Sequence, residues 1–394
     1  MAHQPDSTVV EAVVQLLCDN GLESMAEAVR ILLNEAMKAE RSQALGAGAY
    51  EGSDKRRGYA NGFKPKTINT RLGSMTVQIP QVRGEVDFYP SALERGVRSE
   101  RALKLAIAEM YVHGVSTRKV TQVMEELCGL EVSSTQVSRA SQLLDEELAT
   151  WRNRPLGRFP YVFFDARYEK VRHGGAVISC AVLIAVGVGE DGKRCVLGVS
   201  VSLSEAEVHW RAFMEGLQSR GLHGVVLIIS DDHAGLRAAR EARFPGVPWQ
   251  RCQFHLQRNA AHHVPRASMR AEVSADLRTI FDSQDRAEAD RRLRLVMDKY
   301  QKRAPQLSTW LESNVPEALT VLTFPAIHRK RLRTSNLLER INKELRRRTR
   351  VATLFPNEAA LLRLVGAVLA EISDEWETEK VYLRMENSGP PNEE

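Results

Sequence analysis

Three acidic residues of this chain stand where acidic residues are out of place. Asp165 interrupts the apolar run that begins "YVFF", in what reads as a strand, and aspartate is depleted in strands. Asp231 closes the apolar run "VVLIIS". Glu339 lies in "TSNLLERINKELRRRTR", inside a segment, Arg329 to Arg350, that holds ten Lys or Arg against two Glu. A carboxylate inside an apolar strand is costly unless something compensates it. Converging carboxylates suit Mg²⁺, which prefers oxygen ligands, takes few of them from protein and completes its shell with water and phosphate. Two such ions about 3.5–4 Å apart activate a nucleophile and stabilise the leaving oxygen of a phosphodiester. Arginine and lysine crowded beside them suit a polyanion, of which nucleic acid is the commonest. Each residue also has a plainer reading. Asp231 or Asp232 can cap the following helix, Glu339 can pair with Lys343 one turn on for about 0.3–0.5 kcal/mol, and the basic run can be a solvated face.

The rest of the chain bounds these readings. It has 394 residues with a formal charge of +5, and the basic segment alone carries +8. The length suggests roughly two to three domains of ~100–200 residues. The composition, 43% hydrophobic and 27% charged, is that of an ordinary globular protein. Five scattered cysteines without paired spacing fit a reducing compartment, so a cytoplasmic location is expected. "MAHQPDSTVVEAVVQ" lacks the basic stretch and apolar core of a signal peptide. The most apolar window, Ala176–Gly189, is shorter than the ~20 residues of a membrane helix and reads as a buried strand, so no membrane partner is expected.

The elements that must position the carboxylates follow from periodicity. "YVFFDARYEKV", "GAVISCAVLIAVGVG" and "RCVLGVSVSLS" are three consecutive strands. Then come a helix from Ser204, with Glu207 completing a capping box, the strand "GVVLIIS", the helix "DDHAGLRAAREARF" and the short strand "VPWQRCQF". A meander followed by crossover helices gives a mixed sheet covered on both faces, the ribonuclease-H-like order. Residues 259–324 read as an all-α insertion. On a helical wheel for the segment after it, Leu337, Leu338, Ile341 and Leu345 share one side, while Glu339, Lys343, Arg346 and Arg350 lie roughly opposite. In the insertion, Trp310 is read as core, with stacking on an unpaired base as the alternative.

Upstream, Thr8 to Leu45 is helical, "GAGAYEGSDKRRGYANGFKPK" reads as a loop or linker, and "TINTRLGSMTVQIPQVRG" as two short strands ending at Pro80, a plain hairpin or an arm along DNA. Three helical stretches follow: one to Val112, one capped by Ser116 and stopped at Gly129, and one capped by Ser133 or Ser134. The last two have helix-turn-helix spacing over about 114–145, although an ordinary helical hairpin has the same look. In the DNA-binding reading, Arg118, Lys119, Thr135, Gln136 and Arg139 face outward to phosphates or base edges. The expected division is a helical region with linker (1–60), a DNA-binding region (61–150), the core (156–258 and 325–385) around its insertion (259–324), and a disordered tail (386–394).

Taken with "RRGYANGFKPKTINTRLGSMTVQIPQVRG", "MYVHGVSTRKV", "FFDARYEKVR", "ISDDHAGL", "WQRCQFHLQRN", "TSNLLERINKELRRRTR" and "FPNEAALLRLV", the chain resembles, over nearly its whole length, the Mutator-like transposases of bacterial insertion sequences, in the DDE superfamily. The resemblance implies that Asp165, Asp231 and Glu339 are the catalytic, Mg²⁺-binding triad, with Mn²⁺ able to substitute. It also implies binding of double-stranded DNA at the element's terminal inverted repeats and at the target. Strand cleavage and transfer would follow, through a dimeric synaptic complex and a circular intermediate. Lys343, Arg346, Arg347 and Arg350 would grip DNA. The family's Cys-x-x-His maps to Cys252 and His255, a supporting pair rather than a zinc site, since no second pair is at suitable spacing. His233 would polarise a phosphate or merely cap a helix. The rival from another class is a DNA-binding regulator that has lost catalysis; a third is a nuclease that only cuts.

Overall fold

The computed structural model describes residues 7–48, 51, 56–84, 86–93, 95, 99, 101–113, 115–350, 354–378 and 381–385. The expected tail at 386–394 lies outside them. The chain divides into two compact units, Met1–Leu143 and Leu144–Glu394.

In the first unit, α1 (Ser7–Asn20) and α2 (Met25–Leu45) precede a hairpin of β1 (Gly58–Thr70) and β2 (Gly73–Gly84). Met37 of α2 packs on Ile68, Met75 and Val77, and Asn34 Oδ1 accepts the Gln78 N–H at 2.8 Å. The strands are longer than the sequence reading allowed. Residues 58–66 belong to β1 rather than to a linker, and β2 runs past Pro80. Most of β1 faces solvent, so it has no apolar alternation to betray it; pairing with β2 makes it a strand.

Next come α3 (Arg101–Val112), α4 (Thr117–Cys128) and α5 (Ser134–Ser141), closed over Leu103, Ile107, Val120, Met124, Val132 and Val137. The expected caps are present. Ser116 Oγ accepts the Lys119 N–H, and Gly129 ends α4 in the left-handed conformation. Ser133 forms a full capping box with Gln136.

The second unit opens with α6 (Asp145–Arg152) and then β3 (Tyr161–His173), β4 (Ala176–Val188) and β5 (Arg194–Ser202), an antiparallel meander. α7 (Glu207–Ser219) leads to β6 (Leu227–Ser230), and α8 (Ala234–Arg243) to β7 (Trp249–Arg251). The sheet order is β5-β4-β3-β6-β7, with β3, β6 and β7 parallel. This is a mixed α/β arrangement consistent with the ribonuclease-H-like expectation.

One face of β3 packs Val162 and Phe164 on Trp210, Phe213 and Met214 of α7 and Leu236 of α8. α9 (Gln253–Ala260), α10 (Arg270–Phe281), α11 (Arg286–Gln301) and α12 (Pro305–Asn314) follow. α13 (Ala326–Leu332) and α14 (Asn336–Thr349) come next, and α15 (Glu358–Thr378) covers β5. Among the described residues, no helix is long and apolar enough to cross a membrane.

The Ser204–Glu207 capping box does not form. α7 starts at Glu207 with Ala206 as its cap residue; Ser204 Oγ instead accepts the Ala206 N–H at 3.3 Å, and Glu207 pairs with Arg211. Two extended residues separate the hydroxyl from the helix, so it closes a local turn.

Candidate active site

The parallel register builds the site. Tyr161 pairs with Leu227, Val162 with Ile228 and Phe163 with Ile229. Asp165 and Asp231 each stand two residues beyond the last pair, near enough that the charge of Asp231 acts on Asp165. On the other side Ser230 pairs with Arg251, and the Cys252 N–H donates to the Ser230 carbonyl at 2.7 Å. Asp231 and Cys252 follow the carboxyl ends of β6 and β7, where ligand crevices of open α/β sheets lie, and Asp165 is the fifth of the thirteen residues of the neighbouring β3.

Strand alternation aims the odd-numbered residues of β3 at α14. Asp165 Oδ2 accepts Asn342 Nδ2–H at 2.7 Å, Arg167 Nη1 donates to the Asn342 carbonyl at 2.8 Å, and Glu169 Oε1 accepts the Thr349 hydroxyl at 3.0 Å. At the other end of α14, Ser335 donates both its N–H (3.3 Å) and its hydroxyl (3.2 Å) to the Cys252 sulfur. Ser335, Glu339 and Asn342 lie one turn apart on one stripe of the helix. Glu339 is therefore held between a contact to Cys252 and a contact to Asp165.

Glu339 Oε1 is buried and without a hydrogen-bond partner, and among the described residues Glu339 makes no ion pair, so the Glu339–Lys343 bridge does not form. The apolar side of α14 is buried as the wheel demanded.

The electrostatics are those of a crowded acidic site. Burial, then the charge of Asp231, push Asp165 from 3.8 to about 7, against His255 and two hydrogen bonds. Burial also raises Asp231, opposed by His255 and His233. The Cys252 sulfur, chiefly, and the two aspartates lift His255 to about 9, although His255 Nδ1 itself is buried without an aligned partner. Burial works to raise the Cys252 thiol, but His255 and Ser335 outweigh it and hold it below its ordinary value. The Cys-x-x-His pair is thus a cationic imidazole beside a helix-bound sulfur.

Asp232 is spoken for. It pairs with Arg237 at 2.7 Å and with buried Arg251 at 3.0 Å, and Glu317 joins both arginines. His233 occupies the cap position of α8 without capping it through its side chain; its Nδ1 lies 3.8 Å from Glu205 Oε2. Trp310 is half-buried and stacks on His263 at 4.9 Å.

Sequence reasoning missed Arg167, Asn342 and Glu205. Asn342 was legible in principle, three residues after Glu339 on the same stripe. Burial raises Glu205, His233 opposes it and Asp231 adds to it, so a fourth carboxyl stands near Asp231. No local signal marks Glu205; the approach of α8 puts it there. Gly235 permits that approach, since a Cβ would meet the Glu205 carbonyl oxygen at 2.2 Å.

Among the described residues, no three His, Cys, Asp or Glu side chains are gathered closely enough to hold a metal ion as they stand. The donor set nevertheless fits a hard cation. A buried and a half-buried carboxyl disfavour each other's charge, and a glutamate oxygen is buried without a partner. Mg²⁺ needs only one or two protein carboxylates.

The expected DNA-facing residues divide. Lys343 and Arg346 are exposed on α14 and Arg350 just past its end, whereas Arg347 is tied to Glu344, and Arg348 is buried against Glu344 and Glu371. In the first unit Arg118, Lys119, Thr135 and Arg139 are at least partly exposed; Gln136 is exposed too, but its Oε1 accepts the Ser133 N–H at 2.7 Å. Only its amide nitrogen is left to reach outward.

Comparison with known proteins places the chain in a family. Residues 5–379 match the family described as "Transposase, Mutator family". The chain is 58% identical over 385 residues to the transposase for insertion sequence element IS406 of Burkholderia multivorans, covering 97% of this chain and 99% of the relative. It is 41% identical over 388 residues to the transposase for ISRM5 of Rhizobium meliloti (98% and 97%). It is 36% identical over 353 residues to the transposase for IS256 in Tn4001 of Staphylococcus aureus (88% and 89%).

Proposed function

The chain belongs to the Mutator family of transposases, enzymes that move insertion sequences, and from that premise we propose that it cleaves and joins DNA with a ribonuclease-H-like DDE site built on Asp165, Asp231 and Glu339. What carries this reading is the parallel pairing of β3 with β6, which brings Asp165 near Asp231, with the unpartnered Glu339 Oε1 on a helix hydrogen-bonded to Asp165.

The three carboxylates would hold Mg²⁺, or Mn²⁺ in its place. When bound, the ions supply Lewis acidity at the phosphodiester and activate the attacking oxygen. The chain's own groups do the rest. Asn342 orients the Asp165 carboxyl, and Cys252, through Ser335, sets the start of the helix that presents Glu339. His255, cationic between the aspartates, offsets their repulsion until the site is loaded. Lys343, Arg346 and Arg350 hold the backbone of the reacting DNA, a salt-sensitive contribution. A first attack by water exposes a 3′-hydroxyl at the element end, and that hydroxyl then attacks a second phosphodiester.

The α3–α5 cluster acts as a helix-turn-helix on the terminal inverted repeats, through Arg118, Lys119, Thr135, Arg139 and the amide nitrogen of Gln136. Residues 156–258 and 325–385 form the catalytic core around the 259–324 insertion, with 1–60 and 61–150 upstream, and the protein works in the cytoplasm as a dimer on two element ends.

The test is a labelled duplex carrying the element end. Wild-type protein should join strands only with Mg²⁺ or Mn²⁺, and Glu339→Gln should bind the duplex but join nothing. An active Glu339→Gln protein rejects the assignment; shortened but never joined strands mean a nuclease.

A further inference from the structure

A second cationic feature lies beside Glu339, apart from the aspartates. A cleft of about 340 Å³ is lined by Glu339, Arg340 and Lys343 of α14, Arg331 of α13, Arg194 of β5 and Tyr382. Four cations face one carboxylate. Among the described residues, Arg331, Arg340 and Lys343 make no ion pair with a carboxylate, unlike Arg347 and Arg348 on the same helix.

Two of the cations are also held in place. The guanidinium of Arg331 lies 4.9 Å from the Tyr382 ring centroid and that of Arg194 5.0 Å from it, and Arg194 also covers Trp376 at 4.5 Å. Cation–π contact orients a guanidinium without neutralising it, so Arg331 keeps its charge for an anion.

Tyr382 is set by the backbone around it. Its N–H and that of Leu383 donate to the Gly192 carbonyl at 2.9 and 3.1 Å, and the Arg384 carbonyl lies 2.7 Å from His328 Nε2. Gly192 has φ +74°, and a Cβ there would stand 1.8 Å from the Leu383 oxygen. The segment 381–385 is thus strapped across the β4–β5 turn with its aromatic ring among the arginines.

We propose that this cleft is a phosphodiester subsite, in which Arg331, Arg340 and Lys343, with Tyr382 and Arg194 as their platform, hold a DNA backbone phosphate next to the one that reacts at Glu339. Fixed, unneutralised guanidinium groups match phosphate by paired N–H donors. The subsite orients the strand and takes no part in bond making. This rests on the strand-transfer reading, but its test does not need catalysis.

Binding of the element-end duplex is measured without metal from about 50 to 200 mM salt, in the wild type and in the Glu339→Gln background. Removing one cation from a DNA phosphate lowers the slope of log K against log salt by about 0.9. The Arg331→Gln/Arg340→Gln pair should lower it by about 2 and weaken binding at least tenfold near physiological salt. Lys343→Gln, on an exposed helix position that does not threaten folding, should lower it by about 1. Arg291→Gln, an exposed cation already paired with Glu288, is the charge control and should leave the slope unchanged. Unchanged slopes in the pair and in Lys343→Gln overturn the proposal, as does an equal loss in Arg291→Gln. A failed strand-transfer reading would show differently, as the same slope losses together with an active Glu339→Gln enzyme.

Discussion

Replacing Asp165 by Asn should abolish strand joining and yet make the metal-free protein more stable, by an amount that depends on pH. Asp165 is 7% exposed, and its folded-state pKa is about 7 against an ordinary 3.8. Between those values the folded protein holds a proton that the unfolded chain has released. Stability therefore falls as pH rises through the window, by about 1.4 kcal/mol per unit, and is lowest above pH 7. Roughly three units give a penalty on the order of 4 kcal/mol at pH 8, and almost none at pH 4.

Asparagine carries no such charge and keeps an acceptor for the Ala166 N–H, which Asp165 Oδ1 accepts at 2.9 Å. Asn342, whose Oδ1 is buried without a partner, can turn its amide over to accept from the new side chain. Thermal unfolding with a chelator present should show Asp165→Asn melting on the order of 10 °C above wild type at pH 8, with the gap closing towards pH 4. A gap that is absent, or that does not change with pH, would refute the account of Asp165 as a buried acid destabilised by its surroundings.

The same proton predicts that Mg²⁺ binding, followed by titration calorimetry, tightens from pH 6 to pH 8, because the ligand must first give up the proton it holds to about pH 7; affinity flat across that range contradicts it. Cys252→Ala removes the acceptor of two donors from buried Ser335 and should cost about 2 kcal/mol in urea unfolding and slow strand joining, while Cys252→Ser should restore most of both. If the alanine protein is as stable and as fast as wild type, the sulfur does not position the helix. Gly235→Ala drives a Cβ to 2.2 Å from the Glu205 carbonyl oxygen, so the start of α8 must shift. Joining should fall at least tenfold with duplex affinity unchanged, and wild-type joining rates would show that the approach is dispensable.

Much of the molecule was written locally. The Ser116 and Ser133 caps, the Gly129 stop, the meander from Tyr161 to Ser202 and the buried side of α14 follow from propensity and periodicity, because each depends on neighbours within a turn or a pleat. So did the oddness of Asp165, Asp231 and Glu339, which is a matter of residue type against immediate surroundings. Solvent-facing β1 was not legible, since nothing in its own composition favours a strand, and the Ser204–Glu207 box was misread because two residues of extended chain precede the helix.

Only the tertiary structure decided how the acids relate. The β3–β6 pairing brings Asp165 near Asp231, and the Arg237 and Arg251 pairs take up Asp232. Asn342 and Ser335 fix the stripe that carries Glu339, and the approach of α8 adds Glu205. Apart from the Asp232–Arg237 pair, these contacts join residues tens to nearly two hundred positions apart, and no local preference encodes the distance between them. They exist because burying the sheet and the helices leaves their side chains one arrangement in which to be hydrogen-bonded.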